Sequence, residues 1–264
     1  MTRTSLAPLM PSLEERTLWL ELATRTAQEA GALLRRAQGA RVELTASPER
    51  DVKLAVDRDS EALIVRRLQA TTQFTIMTEE AGVIHGGEER TEWRWIVDPL
   101  DGSLNYLRGL PLCCVSIGLW RAEEPVLGAI YDFVHDELFS GLVGQGAWLN
   151  GQPIRVSETA ERAQAVLATG FPIGTDFSIE ALGSFVERLR AYKKLRLLGS
   201  AALSLAAVAA GRVDAYSERD IRLWDVAAGI AIVQAAGGSC QRVNGARPAT
   251  LTVSATNAML PTLV

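Results

Sequence analysis

Acidic side chains stand in three places where a short apolar stretch ends. Glu79 and Glu80 close Phe74–Thr78. Asp98-Pro99-Leu100-Asp101-Gly102-Ser103 follows Trp95–Val97 directly. Asp225 opens a helical stretch after Trp224. Functional residues gather on loops at strand ends, where a rigid scaffold holds them. Within the six-residue stretch, Pro99 fixes φ and removes a backbone donor. Gly102 admits a conformation in which successive N–H groups point the same way. Two carboxylates thus flank a small nest of amides suited to an anion. Carboxylates with a backbone carbonyl are hard oxygen ligands, better matched to Mg²⁺ or Mn²⁺ than to Zn²⁺. A metal for charge and amides for oxyanions make a phosphate site. An acidic surface turn would draw on the same residue types.

Other chemistries lack their residues. A cysteine-dependent phosphatase needs an arginine six residues after its cysteine, and Cys113 and Cys114 meet Leu119 and Trp120 there. An aspartyl nucleophile of the haloacid-dehalogenase kind is not met by Asp57-Arg58-Asp59-Ser60-Glu61. Gly144-x-Gly146 continues to Leu149 without a third glycine, so it reads as a turn. No Gly-x-Ser-x-Gly occurs. The only histidines, His85 and His135, lie beside polar turns and read as solvated.

The 264 residues, 48% of them hydrophobic, supply ample material for a core without disulfide or metal staples. A net charge of −4 with no basic run gives no footprint for nucleic acid. Cys113, Cys114 and Cys240 have neither disulfide nor metal-ligand spacing. They read as buried apolar residues in a reducing cytoplasm. Ala201–Ala210 and Val226–Ala236 are too short to span a membrane. Met1–Arg16 reads as a loose leader, not a signal peptide.

These residues must be positioned by the elements around them. Ser12 and Glu15 form a capping-box pattern ahead of a helix that ends near Gly39. A second helix is expected from Asp57–Ser60 to about Leu68, with Asp57 as its cap. Strands are expected at Phe74–Thr78 and Trp93–Val97. Cys114–Trp120, Val126–Phe133 and Glu137–Val143 then follow as an antiparallel meander. Asn150-Gly151 marks a tight turn. Beyond it, strands at Leu195–Leu198 and Val213–Ser217 alternate with helices at Glu180–Arg190, Ala201–Ala210 and Trp224–Ala236. A soft boundary near 150 therefore divides an α+β half, 1–150, from an α/β half, 151–264.

Glu79-Glu80, Asp98-Pro-Leu-Asp101-Gly102-Ser103-x-Asn105, Gly199-Ser-Ala-Ala and Trp224-Asp225-Val-Ala-Ala-Gly together resemble the inositol monophosphatase family, in its order and over nearly the whole chain. The resemblance implies an αβαβα sandwich, combining α+β and α/β layers. It implies hydrolysis of an inositol phosphate or related sugar phosphate by metal-activated water. Glu79, Asp98, Asp101 and Asp225 would be metal-binding carboxylates, and Leu100 would give its carbonyl. The amides of Gly102 and Ser103 would hold phosphate. Ser103 with Glu79 would orient the attacking water, with Asp51 behind that hydroxyl. Asp101, Ala201, Glu218 and Asp225 would touch the substrate. Mg²⁺ dependence, lithium sensitivity and a homodimer follow from the same resemblance. Leu54 replaces a threonine common in the family between Asp51 and Asp57, and Ser103 replaces a threonine. Ser217-Glu218-Arg219-Asp220 places a charged pair at the substrate side. Enzymes resembling bisphosphate nucleotidases or fructose-bisphosphatases, and a non-catalytic binding relative, remain alternatives.

Overall fold

The computed structural model describes residues 10–38, 44–45, 53–87, 92–171, 175–247 and 250–263. Helix α1, Leu13–Ala37, opens on a complete capping box: Ser12 accepts from the Glu15 amide and Glu15 reaches back to Ser12. Leu22, Ala23, Ala27, Ala30 and Leu34 form its buried stripe. After two short strands, β1 (Leu44–Thr45) and β2 (Lys53–Leu54), helix α2 covers Ala55–Gln69. It begins two residues before Asp57. That aspartate is therefore in the first turn, where the helix dipole favours it, and is not the cap expected from sequence.

The first large sheet contains β3 (Thr75–Thr78), β4 (Gly82–Ile84), β5 (Trp93–Asp101), β6 (Cys114–Arg121), β7 (Glu124–Asp132), β8 (Glu137–Leu142), β9 (Gly146–Leu149) and β10 (Gln152–Ile154). Its order is β10-β9-β8-β7-β6-β5-β3-β4. From β5 to β10 it is an antiparallel meander, of which β6 to β8 were expected as such and β9 and β10 were not, and Asn150-Gly151 makes the last turn with both residues at positive φ. Helix α3, Ser103–Arg108, leaves the end of β5.

The second sheet contains β11 (Val166–Ala168), β12 (Lys194–Arg196), β13 (Ala215–Arg222), β14 (Ser239–Asn244) and β15 (Thr250–Thr256), in the order β12-β11-β13-β15-β14. Three helices accompany it: α4 (Ile179–Leu189), α5 (Ala201–Ala209) and α6 (Leu223–Ala235). Helices α1 and α2 cover one face of the first sheet, while α5 and α6 pack between the two sheets. Being enclosed, α5 and α6 are apolar nearly all round, as a buried helix must be. Helix α4 lies over the outer face of the second sheet, completing αβαβα.

A lane of glycines seats α6 on the first sheet. Gly118 pairs with Gly128, and Gly128 with Gly141, so the three cross β6, β7 and β8 in a line. A Cβ on Gly118 would stand 2.9 Å from the Ala228 nitrogen, and one on Gly141 2.9 Å from the Ile232 Cα. A Cβ on Gly128 would strike the Ala228 carbonyl. The bare lane lets the helix backbone approach the sheet directly.

Candidate active site

Strand β5 does not stop at Val97. It continues through Asp98-Pro99-Leu100-Asp101, all buried. Asp98 lies opposite Ser116 and Asp101 opposite Cys114, with a register shift between them. Three steps on β5 thus match two on β6, which is a β-bulge. Ser116 and Cys114, two apart, share a face of the sheet. Their partners Asp98 and Asp101 therefore share one too, which three residues of regular strand would not allow. Pro99 sits in the bulge, where its missing N–H costs no ladder bond. The bulge is fixed from three sides. Ser60 donates to the Pro99 carbonyl (2.9 Å), the Leu100 amide to Asp98 Oδ1 (3.0 Å) and Ser103 Oγ to the Leu100 carbonyl (2.9 Å).

Gly102 has φ +85° and ψ 38°, the left-handed conformation, and a Cβ there would come within 2.6 Å of the Leu112 carbonyl. Only glycine fits this corner. Behind it, Asn105 Nδ2 donates to the carbonyls of Leu112 (2.8 Å) and Leu198 (2.9 Å). That side chain ties the turn after β5 to the segment that enters α5.

Asp101 is held by α5 itself. Its Oδ2 accepts from Ser200 Oγ (2.5 Å) and the Ala202 amide (2.8 Å). Ser200 also caps α5 by accepting from the Leu203 amide (3.1 Å). Ala201, the first residue of α5, is buried at the same place. Asp225 lies in the first turn of α6. Strand β3 runs parallel to β5 and next to it, so Glu79, just past its end, lies on the same side of the sheet as the end of β5. Buried Glu61 on α2 braces that corner, accepting from Thr78 Oγ1 (2.5 Å) and the Glu80 amide (3.0 Å). Glu218, on β13, accepts from the Tyr216 hydroxyl (3.0 Å) and lies against Gly170.

These carboxyls feel one another. Burial raises Asp98 well above the usual carboxylate range, and the charges of Glu79, Asp101 and Asp225 raise it further. Burial likewise raises Asp225, followed by Asp101, Glu79 and Glu218. Burial pushes Asp101 up to about 6 against the hydrogen bonds from Ser200 and Ala202, which lower it. Glu218 is pushed up to about 7 by burial, with Asp101 adding to the rise. Among the described residues no three acidic, histidine or cysteine side chains close around a single point. The chemistry of the cluster still fits a hard divalent cation: the donors are oxygens, and the charges raising Asp98 are all negative.

Asp51 lies outside the described residues, as does the side chain of Leu54. Cys114 is near Asp101 (3.9 Å), but burial holds its thiol well above the ordinary range and pushes Cys113 up to about 12. Neither is a thiolate nucleophile. His135 pairs with Asp132 (2.7 Å). Sequence reasoning assigned no role to Ser200, Asn105, Glu61 or Tyr216. Ser200 and Asn105 lie inside motifs that were legible. Glu61 and Tyr216 had no local signal.

The layers and the buried acidic cluster define an α/β protein with an oxygen-lined site shared by both sheets. The chain belongs to the inositol monophosphatase family, whose sequence model matches residues 15–262. It is 36% identical over 230 residues to a Nus factor SuhB of Pasteurella multocida, covering 86% of this chain and 85% of that one. It is 37% identical to inositol monophosphatase 3 of Solanum lycopersicum, covering 83% of this chain and 84% of that one. The solved inositol monophosphatase of Anabaena superposes with a TM-score of 0.78 at 37% identity, covering 92% of each chain. Among the described residues no helix is long and apolar enough to cross a membrane.

Proposed function

We propose that the chain is a metal-dependent phosphomonoesterase for an inositol phosphate or related sugar phosphate. The observation that carries this reading is the group of buried carboxyls at the end of β5, on β13 and at the start of α6, each raising its neighbours. Glu79, Asp98, Asp101, Asp225 and the Leu100 carbonyl would hold Mg²⁺ or Mn²⁺. Such a cation, when bound, lowers the pKa of its water and shields the phosphate.

The other roles belong to the chain. The Gly102 and Ser103 amides stand at the start of α3, whose first turn leaves N–H groups without helical acceptors. They hold the phosphate. Ser103 and Glu79 orient the water that attacks phosphorus, with Asp51 behind that hydroxyl. The ester P–O bond breaks and the alcohol leaves with a proton. Ala201 and Glu218 meet the alcohol. Buried free thiols at Cys113 and Cys114 suit a reducing cytoplasm. Family membership supports lithium inhibition and a homodimer.

A binding role in the manner of the relatives named Nus factor is the second reading. The buried carboxyls favour catalysis, because a purely binding protein gains nothing from burying several like charges close together. Phosphate release from a panel of inositol and sugar phosphates, with Mg²⁺ and with EDTA, separates the two. Turnover only with Mg²⁺ supports the phosphatase, and no release from any ester favours binding.

A further inference from the structure

The hydroxyl of Ser116 is fully buried and, among the described residues, has no hydrogen-bond partner. Other buried serines are paired: Ser60 with the Pro99 carbonyl, Ser200 with Asp101, Ser204 with the Ser200 carbonyl and Ser254 with the Leu263 amide. An unpaired buried hydroxyl is unfavourable, and alanine would fill the same place without that cost. An orphan of this kind calls for an explanation in what its surroundings do.

Ser116 stands on β6 in the row that crosses from Asp98 on β5 to Ile130 on β7. Directly opposed residues point to the same face, with Cβ atoms about 4.5–5.5 Å apart. Cys114 and Gly118 are its neighbours on its own strand and face. Ile130 and Gly118 offer no polar side-chain atom. The Cys114 thiol is a weak partner and already faces Asp101 and Ser200. Within the sheet, the strong acceptor beside Ser116 is therefore the Asp98 carboxyl.

That carboxyl is short of donors. Asp101, at the far side of the bulge, receives a hydroxyl from Ser200 and an amide from Ala202. Asp98 receives only the Leu100 amide, on Oδ1. A carboxylate has about four acceptor sites, so most of its capacity is left. An acceptor without a hydroxyl thus faces a hydroxyl without an acceptor. Serine moves its oxygen between staggered positions by one torsion, and that motion carries it towards Asp98.

We infer that Ser116 is a positioning residue for the divalent cation, its hydroxyl donating to Asp98 when that carboxyl holds the ion, as Ser200 donates to Asp101. This rests on the metal-dependent reading of the site. A donor behind a ligating carboxylate fixes the direction of its oxygens, and losing it typically weakens metal binding about 10–100-fold.

Ser116→Ala tests this, because its two effects should have opposite signs. In EDTA the variant loses an orphan, so its Tm should rise by about 2 °C or more. Its affinity for Mn²⁺ should fall at least about tenfold, read without substrate from the electron paramagnetic resonance of the free ion. A serine that only fills space or supports the strand would not raise one and lower the other.

Mn²⁺ affinity within about threefold of the parent overturns the inference and leaves the metal-dependent reading standing. A Tm in EDTA that does not rise also overturns it, because the hydroxyl would then be satisfied without the cation. No Mn²⁺ binding by the parent removes the metal-dependent reading and the inference together.

Discussion

Ser200 donates a 2.5 Å hydrogen bond to Asp101, a residue 99 positions earlier in the chain. One serine thereby joins the end of β5 to the start of α5. It fixes an acidic side chain of the first sheet against a helix of the second half. Its oxygen also caps that helix through the Leu203 amide. The same hydroxyl orients the carboxyl and anchors the element that orients it.

Ser200→Ala should therefore weaken both stability and function. Loss of a cap costs about 1 kcal/mol, and a buried carboxylate left short of a donor adds about 1–3 kcal/mol. Urea unfolding should show a loss in the range of about 2–4 kcal/mol from the two effects. Phosphatase activity should fall more than the folded fraction does. Unchanged stability would remove Ser200 from this role.

Asp101→Asn separates charge from shape. The amide oxygen can still accept from Ser200 and Ala202, so the melting temperature should hold. A unit of negative charge leaves the acidic cluster, and kcat should fall by at least about 10²-fold, as for other preorganised electrostatic groups. A loss below tenfold at saturating Mg²⁺ would show that Asp101 holds no metal.

Acid should stabilise the metal-free protein over a defined window. Asp101 is raised to about 6 and Glu218 to about 7, from ordinary values of 3.8 and 4.5. An acid raised on folding favours its neutral form in the native state. Its stabilising contribution is complete below the unfolded pKa and is lost as pH rises through the folded one. Melting temperature without metal should thus fall between about pH 4 and 7 and level off above. Glu137 is shifted the other way by its bond to Arg212, so its contribution is lost only at more acidic pH. Mg²⁺ binds deprotonated ligands, so it should raise the melting temperature more at pH 8 than at about pH 5.5. A flat profile in EDTA, or an equal Mg²⁺ effect at both ends, would contradict this account.

Gly128→Ala should test the contact between α6 and the first sheet. The new methyl meets the Ala228 carbonyl, which is helix backbone and cannot rotate aside. Overpacking typically costs about 1–3 kcal/mol, and a backbone obstacle belongs at the upper end. Because α6 also carries Asp225, activity should fall as well. Stability within about 0.5 kcal/mol of the parent would show that the helix moves away easily.

The site was legible where its chemistry is local. Asp98-Pro-Leu-Asp101-Gly102-Ser103 announced an acidic, glycine-bearing corner, and Gly102 does take positive φ. In sequence that stretch has the residue types of a turn, whereas it is the bulged end of a long strand. Nothing within six residues says that Asp98 and Asp101 share a face, because the face is set by pairing with Ser116 and Cys114. The meander from β6 to β8 was legible from close, alternating apolar runs. Strands β14 and β15 were not: Ser-Cys-Gln-Arg-Val-Asn and Thr-Leu-Thr-Val-Ser-Ala-Thr look like loop until their neighbours supply burial. Strand β13 was expected to end at Ser217 and reaches Arg222 through a bulge, which places Glu218 on a strand. Glu61 and Tyr216 act on residues that only tertiary packing brings near, or along a strand whose pairing sequence alone does not give.

Glu218 and Ser103 should fail differently when altered. Ser103 lies in the first turn of α3, beside the carboxyls at the end of β5, and donates to the Leu100 carbonyl. Glu218 belongs to the other sheet. A group that touches the alcohol changes discrimination between substrates, read in ratios of kcat/KM. A hydroxyl that serves the attacking water acts on every ester alike and lowers kcat across the set. Glu218→Gln keeps size and the capacity to accept from Tyr216 while changing what the carboxyl offers an alcohol. It should therefore reorder preference among at least four phosphomonoesters. Ser103→Ala should slow all of them by similar factors, about 10–10³-fold, in the range of other positioned polar groups. The measurement is kcat/KM for the same esters on the parent and both variants, at saturating Mg²⁺. Uniform scaling by Glu218→Gln would place that carboxyl with the chemistry. Reordering by Ser103→Ala would place the serine with the alcohol, so either result reverses the assignment.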